Sequence, residues 1–307
     1  MQESMIQNKT ILHLQSVLLF LILPLVFYYI YVRLLEGWNN LENYTWSLNL
    51  GYFVLSVLSA FLYFVFTTWI WHRVLTGLGS SVGFWRSFRV LHLAQMGKYL
   101  PGNIWAVGGQ LYLGKQEGIS PTTILWATGI HWYFNLLSGA IIFLPFLYSL
   151  APLWVAVSVS VLVLFVSTAT FFLRGVLSFL SRWPKVSDRE GLYGGVLRLS
   201  PSQGLGIFFG FALAWSFFGL SFWALINTFV EVSFGAYYTA LASFCGAWVM
   251  GVLSFFAPAG IGVREGALVY LLGQFLVPSM AAVISIAARL WITLVELICA
   301  AVAWFIQ

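Results

Sequence analysis

Long apolar runs separated by short polar stretches make up most of the chain. A helix that crosses a bilayer needs about 20 predominantly apolar residues. By that criterion the pattern predicts seven spanning helices, at residues 11–34, 50–71, 121–143, 153–173, 205–229, 237–256 and 280–305. The expected fold class is therefore all-α: a polytopic helical membrane protein in which residues 1–307 form one integral membrane domain.

Two further apolar stretches, at about residues 84–114 and 257–275, are too short or too interrupted to cross a bilayer as simple helices. Proline lacks the backbone donor and glycine loses much conformational freedom on ordering, so both residue types break helices. Inside a bilayer, non-helical backbone is tolerated only where it is buried in protein or lines a wet cavity. The residues expected to break these helices, and to act as hinges, are Pro101, Gly102, Pro258, Gly260 and Gly262.

Two interpretations of these breaks are open. Each break could be a tight loop at the membrane interface, or the two could form re-entrant helices whose ends converge on a site. Paired interruptions in the two halves of a transporter are typical of a substrate site. The segments Pro101-Gly-Asn-Ile104 and Pro258-Ala-Gly-Ile261 also share their order of Pro, Gly and Ile. We therefore expect about seven to eight spans with two re-entrant or broken segments, an arrangement compatible with an inverted repeat.

Composition excludes a separate soluble catalytic domain. Apolar residues make up 61% of the chain and charged residues only 7%, whereas soluble domains are about 25% charged. The longest polar stretch, residues 174–204, is too short to form an independent core. The sequence also carries no phosphate-cradling loop, no metal-ligand spacing and no nucleophile–base motif. The intramembrane His, Arg and Glu could in principle serve an intramembrane transferase, but we expect a protein that is not an enzyme and needs no metal or cofactor.

The distribution of Lys and Arg predicts the orientation of the chain. These residues concentrate between the second and third predicted spans and in the loop at 174–204. The positive-inside rule places both segments, and with them the N-terminus, in the cytoplasm of a plasma (inner) membrane protein. The net charge of +5 is thus a topology signal. No nucleic-acid partner is expected, because the basic residues flank spans and form no patch with interleaved aromatics.

Four ionisable residues follow the second break or lie within the last span: Arg264, Glu265, Arg289 and Glu296. An uncompensated charge at the centre of a spanning helix costs at least ~2.5–3.5 kcal/mol, so such residues face the protein interior and pair. Arg289 and Glu296 are seven residues apart, too far for a direct contact along one helix. We therefore expect Arg264 to pair with Glu296 and Arg289 with Glu265. The set could be purely architectural, or it could bind substrate, since an arginine fork matches phosphate as well as carboxylate.

The first break adds Lys98 and Asn103 to the candidate site. Lys98 could instead be an interfacial lysine whose ammonium reaches the headgroup region. His131 and Asn135 are four residues apart and share a helix face. Such a polar pair more often bonds to another helix than to a substrate, and that is the role expected here.

Two stretches resemble a known family: Gly97-Lys-Tyr-Leu-Pro-Gly-Asn-Ile-Trp-Ala-Val and Pro258-Ala-Gly-Ile-Gly-Val-Arg-Glu-Gly. They are similar to the two signature stretches of the flippase-like membrane domain of lysyl-phosphatidylglycerol synthases, and the resemblance covers about residues 10 to 305. It implies a lipid-translocating fold in which two re-entrant segments face each other. No stretch resembles the soluble aminoacyl-transferase domain of those synthases, so lysyl transfer is not expected.

The expected function is movement of an anionic phospholipid or a polyprenyl-phosphate-linked lipid across the bilayer. One alternative is a transporter of a small polar solute, which needs a water-filled path rather than a groove open to lipid. Another is a non-transporting membrane partner of a glycosyltransferase or lipid-modifying enzyme. The substrate-binding candidates are Arg264, Arg289, Lys98, Glu265, Glu296 and Asn103.

Overall fold

The computed structural model describes residues 28, 29, 31–33, 35, 48–99, 104–180, 201–254 and 260–306. Between residues 48 and 306 the described chain is helical, without strands. In chain order its helices are α1 (Leu50–Gly77), α2 (Phe84–Gln95), α3 (Trp105–Gln116), α4 (Pro121–Leu150), α5 (Leu153–Leu180), α6 (Pro201–Phe229), α7 (Tyr237–Leu253), α8 (Val263–Leu272) and α9 (Pro278–Phe305). One short 3-10 turn, Met96–Tyr99, follows α2, and another, Phe234–Ala236, precedes α7.

The all-α prediction is confirmed. Five helical stretches of the described chain are long and apolar enough to cross a membrane: Leu50–Gly77, Pro121–Leu150, Ser202–Phe229, Phe234–Leu253 and Pro278–Phe305. Each overlies a predicted span. Helix α5 begins at the predicted Leu153 and continues beyond residue 173 to Leu180. The predicted span at 11–34 and the loop at 174–204 lie largely outside the described residues.

Two of the long helices begin at the residues that local chemistry favours. The Ser120 hydroxyl accepts a hydrogen bond from the Thr123 amide at 3.1 Å, and Pro121 occupies the first helical position. Proline fits there because its missing N–H would have no intrahelical partner. Asn49 caps α1 in the same way through a bond from the Tyr52 amide. These caps fix where the apolar runs become helical.

The helices bury large aromatic residues between them and expose other large apolar residues outward. Trp71, Trp215 and Phe222 are almost completely buried where α1 packs along α6. On the outer surface, large apolar side chains such as Leu290 are more than half exposed. A soluble protein would cover such a surface with polar groups, whereas lipid solvates it at no cost. The packing therefore suits a bilayer.

The first break is a helical hairpin. Helices α2 and α3 have 12 residues each, or about 18 Å of helix, against a hydrocarbon core of about 30 Å. The 3-10 turn after α2 lies so close to α3 that a Cβ on Gly97 would be 2.7 Å from the Trp105 carbonyl carbon. At the open end, Arg89 Nη1 lies 2.9 Å from Glu117 Oε1. Helices α2 and α3 therefore pack side by side, and neither crosses a bilayer by itself, as expected of a broken segment.

The second break separates α7 from α8. Gly260 and Gly262 have φ angles of 67° and 86°, a left-handed conformation that favours glycine. A Cβ on Gly260 would also lie 2.9 Å from the Gly251 Cα. Helix α8 then runs for only 10 residues, too short to cross a bilayer. Gly260 and Gly262 are thus required by the turn itself, and their role as hinges stays a prediction.

The close approach at the first hairpin gives a test of the fold. We expect Gly97→Ala to lower the free energy of unfolding by about 1–3 kcal/mol, because the added methyl group meets backbone that cannot move away easily. The matched control is Gly108→Ala on α3, where a Cβ meets no atom within 4 Å. It should be neutral or slightly stabilising, since alanine favours helix. Thermal unfolding in detergent measures both; equal unfolding temperatures would contradict the hairpin packing.

Candidate functional site

A cavity of about 340 Å³ lies where the tip of the first hairpin, the start of α8 and the middle of α9 meet. This volume is at the lower end of the range of about 300–1,000 Å³ typical of small-molecule sites. It can hold a polar headgroup but not long acyl chains. Its charged side chains are Lys98, Arg264, Arg289 and Glu296, and Gly260 also lines it.

Glu296 connects the first hairpin to α9. Its side chain is 3% exposed, and its Oε1 pairs with the Lys98 ammonium. The Tyr99 hydroxyl donates to Glu296 Oε2 at 2.5 Å. The expected Arg264–Glu296 pair is therefore wrong. Lys98 takes this place because the hairpin tip packs against α9, a long-range contact that spacing along the sequence does not show.

Glu265 and Arg289 form the pair that the sequence predicted. Arg289 Nη1 lies 3.4 Å from Glu265 Oε1. The other carboxylate oxygen, Glu265 Oε2, accepts the Gly262 amide at 2.7 Å and so satisfies a free donor at the start of α8. The Ser285 hydroxyl donates to the Glu265 carbonyl at 3.0 Å. Helix α8 is thus fixed to α9, while the guanidinium of Arg289 keeps donors for a further acceptor.

Arg264 is a cation of the cavity lining that has no anion partner among the described residues. It is 9% exposed, it lines the cavity, and its Cζ lies 4.6 Å from the centre of the Phe244 ring. No carboxylate of the described chain lies within 4.0 Å of it. A buried charge is costly unless it is paired. A cation–π contact of about 2 kcal/mol offsets only part of that cost, so this guanidinium is suited to receive an anion.

The charges around the cavity do not cancel. Among the described residues, three cations (Lys98, Arg264 and Arg289) face two carboxylates (Glu265 and Glu296), which leaves one positive charge in excess. The adjoining stretches 100–103 and 255–259 contain no ionisable side chains in the sequence. A singly charged anion would therefore neutralise the site.

Another part of the cavity lining carries neutral polar groups from α4. Thr128, His131, Trp132 and Asn135 lie on one face of this helix and line the cavity. The Thr128 hydroxyl donates to Gln110 on α3 at 2.6 Å, the kind of interhelical bond that was expected for His131 and Asn135. The Asn135 side chain makes such a bond to Tyr63 on α1. Its Oδ1 atom and His131 Nδ1 are buried without a hydrogen-bond partner among the described residues. The sequence pattern places these residues on one face but does not show that the face meets a cavity.

The predicted site residues fall into three groups. Lys98, Arg264, Arg289, Glu296 and Gly260 line the cavity. Glu265 and Gly262 lie beside it, joined by the bond that begins α8. The remaining candidates lie outside the described residues: Asn103, Pro101, Gly102 and Pro258. The function assigned to each residue stays a prediction.

Comparison with protein families identifies the family to which the chain belongs. The family model described as the lysylphosphatidylglycerol synthase TM region matches residues 16–300. The chain belongs to this family. Every candidate site residue lies within the match, and the resemblance to this family is confirmed. Membership in the lysylphosphatidylglycerol synthase TM family, together with the five long apolar helices, makes this a multi-pass membrane protein of a lipid-related family. Comparison with curated protein sequences finds no match.

Proposed function

We propose that this protein moves lipids with a singly charged phosphate headgroup across the bilayer. The observation that carries the proposal is Arg264, a buried guanidinium that lines the cavity and has no carboxylate partner among the described residues. Guanidinium binds phosphate through two parallel, charge-assisted hydrogen bonds. The excess of one positive charge favours a monoanion, such as the phosphodiester of a phospholipid.

In this proposal the headgroup occupies the cavity while the tails remain in lipid. Arg264 contacts the phosphate first, and Arg289 turns from Glu265 towards it, since their 3.4 Å separation is long for a charged pair. Glu265 keeps its bond to the Gly262 amide, so α8 stays capped during the exchange. No covalent bond is made or broken. The sequence has no ATP-binding motif, so movement is passive or coupled to an ion gradient.

Orientation is part of the proposal. The Lys- and Arg-rich segments on either side of the third and fourth spans would face the cytoplasm of a plasma membrane protein with its N-terminus inside. The open end of the first hairpin, with Arg86 and Arg89 on Glu117, would then lie on the cytoplasmic side. A headgroup would reach the cavity past this hairpin.

Reconstitution in liposomes tests the proposal. The translocation rates of fluorescent phosphatidylglycerol and phosphatidylcholine are measured from the loss of fluorescence after a membrane-impermeant reductant is added. We expect phosphatidylglycerol to move faster by about tenfold or more. Both lipids offer the same phosphodiester to Arg264, but the choline cation of phosphatidylcholine cancels its net charge and is repelled by the cations of the site. Rates equal to those of protein-free liposomes, or equal rates for both lipids, would exclude the proposal.

A further inference from the structure

One face of α7 contacts both ends of the Arg264 side chain. The Arg264 Cζ lies over the face of the Phe244 ring, 4.6 Å from its centre. At the other end of the side chain, a Cβ on Gly251 would lie 3.0 Å from the Arg264 Cβ. Phe244 and Gly251 are two helical turns apart on α7, so they share a face, and both line the cavity. The position of this side chain is thus set by α7, although Arg264 belongs to α8.

The Phe244 ring is itself fixed by other aromatic residues. It is 1% exposed. Its centre lies 4.3 Å from that of Phe218 and 5.0 Å from that of Phe222, both on α6. Three buried rings in contact leave little room for another rotamer, because protein interiors are close-packed. The ring face below Arg264 is therefore a fixed surface.

A ring suits this position better than a carboxylate would. The face of a phenyl ring carries partial negative charge and attracts the guanidinium as a whole. A carboxylate attracts a guanidinium more strongly, but through the N–H donors that a phosphate needs. Glu265 occupies Arg289 Nη1 in this way, whereas no carboxylate of the described chain lies within 4.0 Å of Arg264. The ring stabilises the buried cation without competing with an anion.

We infer that Phe244 is a positioning residue of the site: its ring holds the Arg264 guanidinium in the cavity and leaves the N–H donors free for an anion. Phe244 acts through Arg264, and it acts by the charge of its face in addition to its volume. A residue that only filled space could be replaced by another of the same shape. The inference rests on the proposed function only for the lipid used to test it.

Fluorinated phenylalanines at position 244 test the inference, because each fluorine withdraws charge from the ring face and changes its shape little. With one, two and then three fluorines, the unfolding temperature of the lipid-free protein in detergent should fall stepwise, by about 4 °C in total. In an Arg264→Leu background the series should be flat. Leucine is chosen because it has neither a charge nor a sulfur atom that would respond to the ring face. Equal losses in the two backgrounds would overturn the inference.

Phe222 provides the matched control. Its ring is 0% exposed and contacts the Phe244 ring, but it does not line the cavity, and no Lys or Arg of the described residues lies over it. The same fluorinated residues at position 222 measure the effect of fluorine on packing alone, so we expect equal changes with Arg264 present and in Arg264→Leu. A loss at position 222 that depends on Arg264 as strongly as the loss at position 244 would also overturn the inference.

Binding of lipid separates a positioning residue from an architectural one. The probe is dihexanoyl phosphatidylglycerol, and its dissociation constant should rise about threefold or more over the series at position 244, because a guanidinium that is held less firmly must be ordered when the anion binds. An unchanged dissociation constant together with a falling unfolding temperature would overturn the positioning role. If the unmodified protein binds no phosphatidylglycerol, the proposed function fails, while the dependence of the temperature series on Arg264 still supports or overturns the role of Phe244.

Discussion

Replacing Arg264 by methionine should slow the translocation of phosphatidylglycerol by about tenfold or more and, at the same time, raise the thermal stability of the lipid-free protein. The rate falls because charge-assisted hydrogen bonds to the phosphate, worth about 1.5–3 kcal/mol, are lost. The stability rises because Arg264 is 9% exposed and has no carboxylate partner among the described residues. Methionine fills a similar volume without a buried charge, a change that is often neutral or stabilising by about 1–4 kcal/mol.

The matched control is Arg86→Met. It removes the same charge from a side chain that is 62% exposed, on the hairpin but outside the cavity lining. A surface ion pair contributes little, about 0–1 kcal/mol, so translocation and stability should both stay close to those of the unmodified protein. If Arg264→Met moved phosphatidylglycerol at the unmodified rate, Arg264 would not be a binding residue. If the variant lost stability together with transport, Arg264 would be an architectural residue.

The opposite directions of these two effects have a general cause. A site that binds an anion needs a cation in position before the anion arrives. Where that cation is buried, it lowers the stability of the ligand-free protein. The Cβ of Arg264 packs against Gly251 on α7. A Cβ added to Gly251 would lie 3.0 Å from it, so the backbone of α7 fixes the start of the Arg264 side chain. The protein thus keeps an unfavourable group in a fixed position, as is common at functional sites.

Which features could be predicted from the sequence depends on how far apart the contacting residues lie along the chain. Apolar runs of about 20 residues report directly on solvation by lipid, so the long helices could be located from sequence alone. The second break could be located as well, because Gly260 and Gly262 adopt backbone angles that few other residues tolerate. The Glu265–Arg289 pair followed from the need to neutralise charges in two neighbouring helices, and the structure contains it.

The remaining features depend on which helix faces meet. Lys98 and Glu296 are 198 residues apart, and their contact arises only because the hairpin tip packs on α9. The expected Arg264–Glu296 pair was wrong for that reason: balancing charge shows that a partner is needed, but not which cation is nearest. His131 and Asn135 likewise share a face in any α-helix, whereas the cavity beside that face exists only once α3, α4 and α7 have packed around it.

The second large effect concerns the Lys98–Glu296 pair. We expect Glu296→Gln to destabilise the lipid-free protein by about 3 kcal/mol, because it leaves the Lys98 ammonium, 25% exposed, without its anion. Short-chain phosphatidylglycerol should restore much of this loss, since its phosphate supplies a new anion in the cavity and binding to the folded state stabilises it. Phosphatidylcholine is the control lipid and should restore much less.

Lys98→Met is the opposite change and should respond differently. It leaves the Glu296 carboxylate, 3% exposed, with the Tyr99 hydroxyl but without its cation. It should therefore lose a similar stability, about 3 kcal/mol, but anionic lipid should not restore it, because two negative groups repel each other. The double variant Lys98→Met with Glu296→Gln leaves no unpaired charge and should recover most of the loss, which a double-mutant cycle measures. Unfolding temperatures with and without each lipid provide all of these comparisons. If phosphatidylglycerol stabilised both single variants equally, the ion pair would not face the lipid headgroup, and Lys98 would be an architectural residue that holds the hairpin tip against α9.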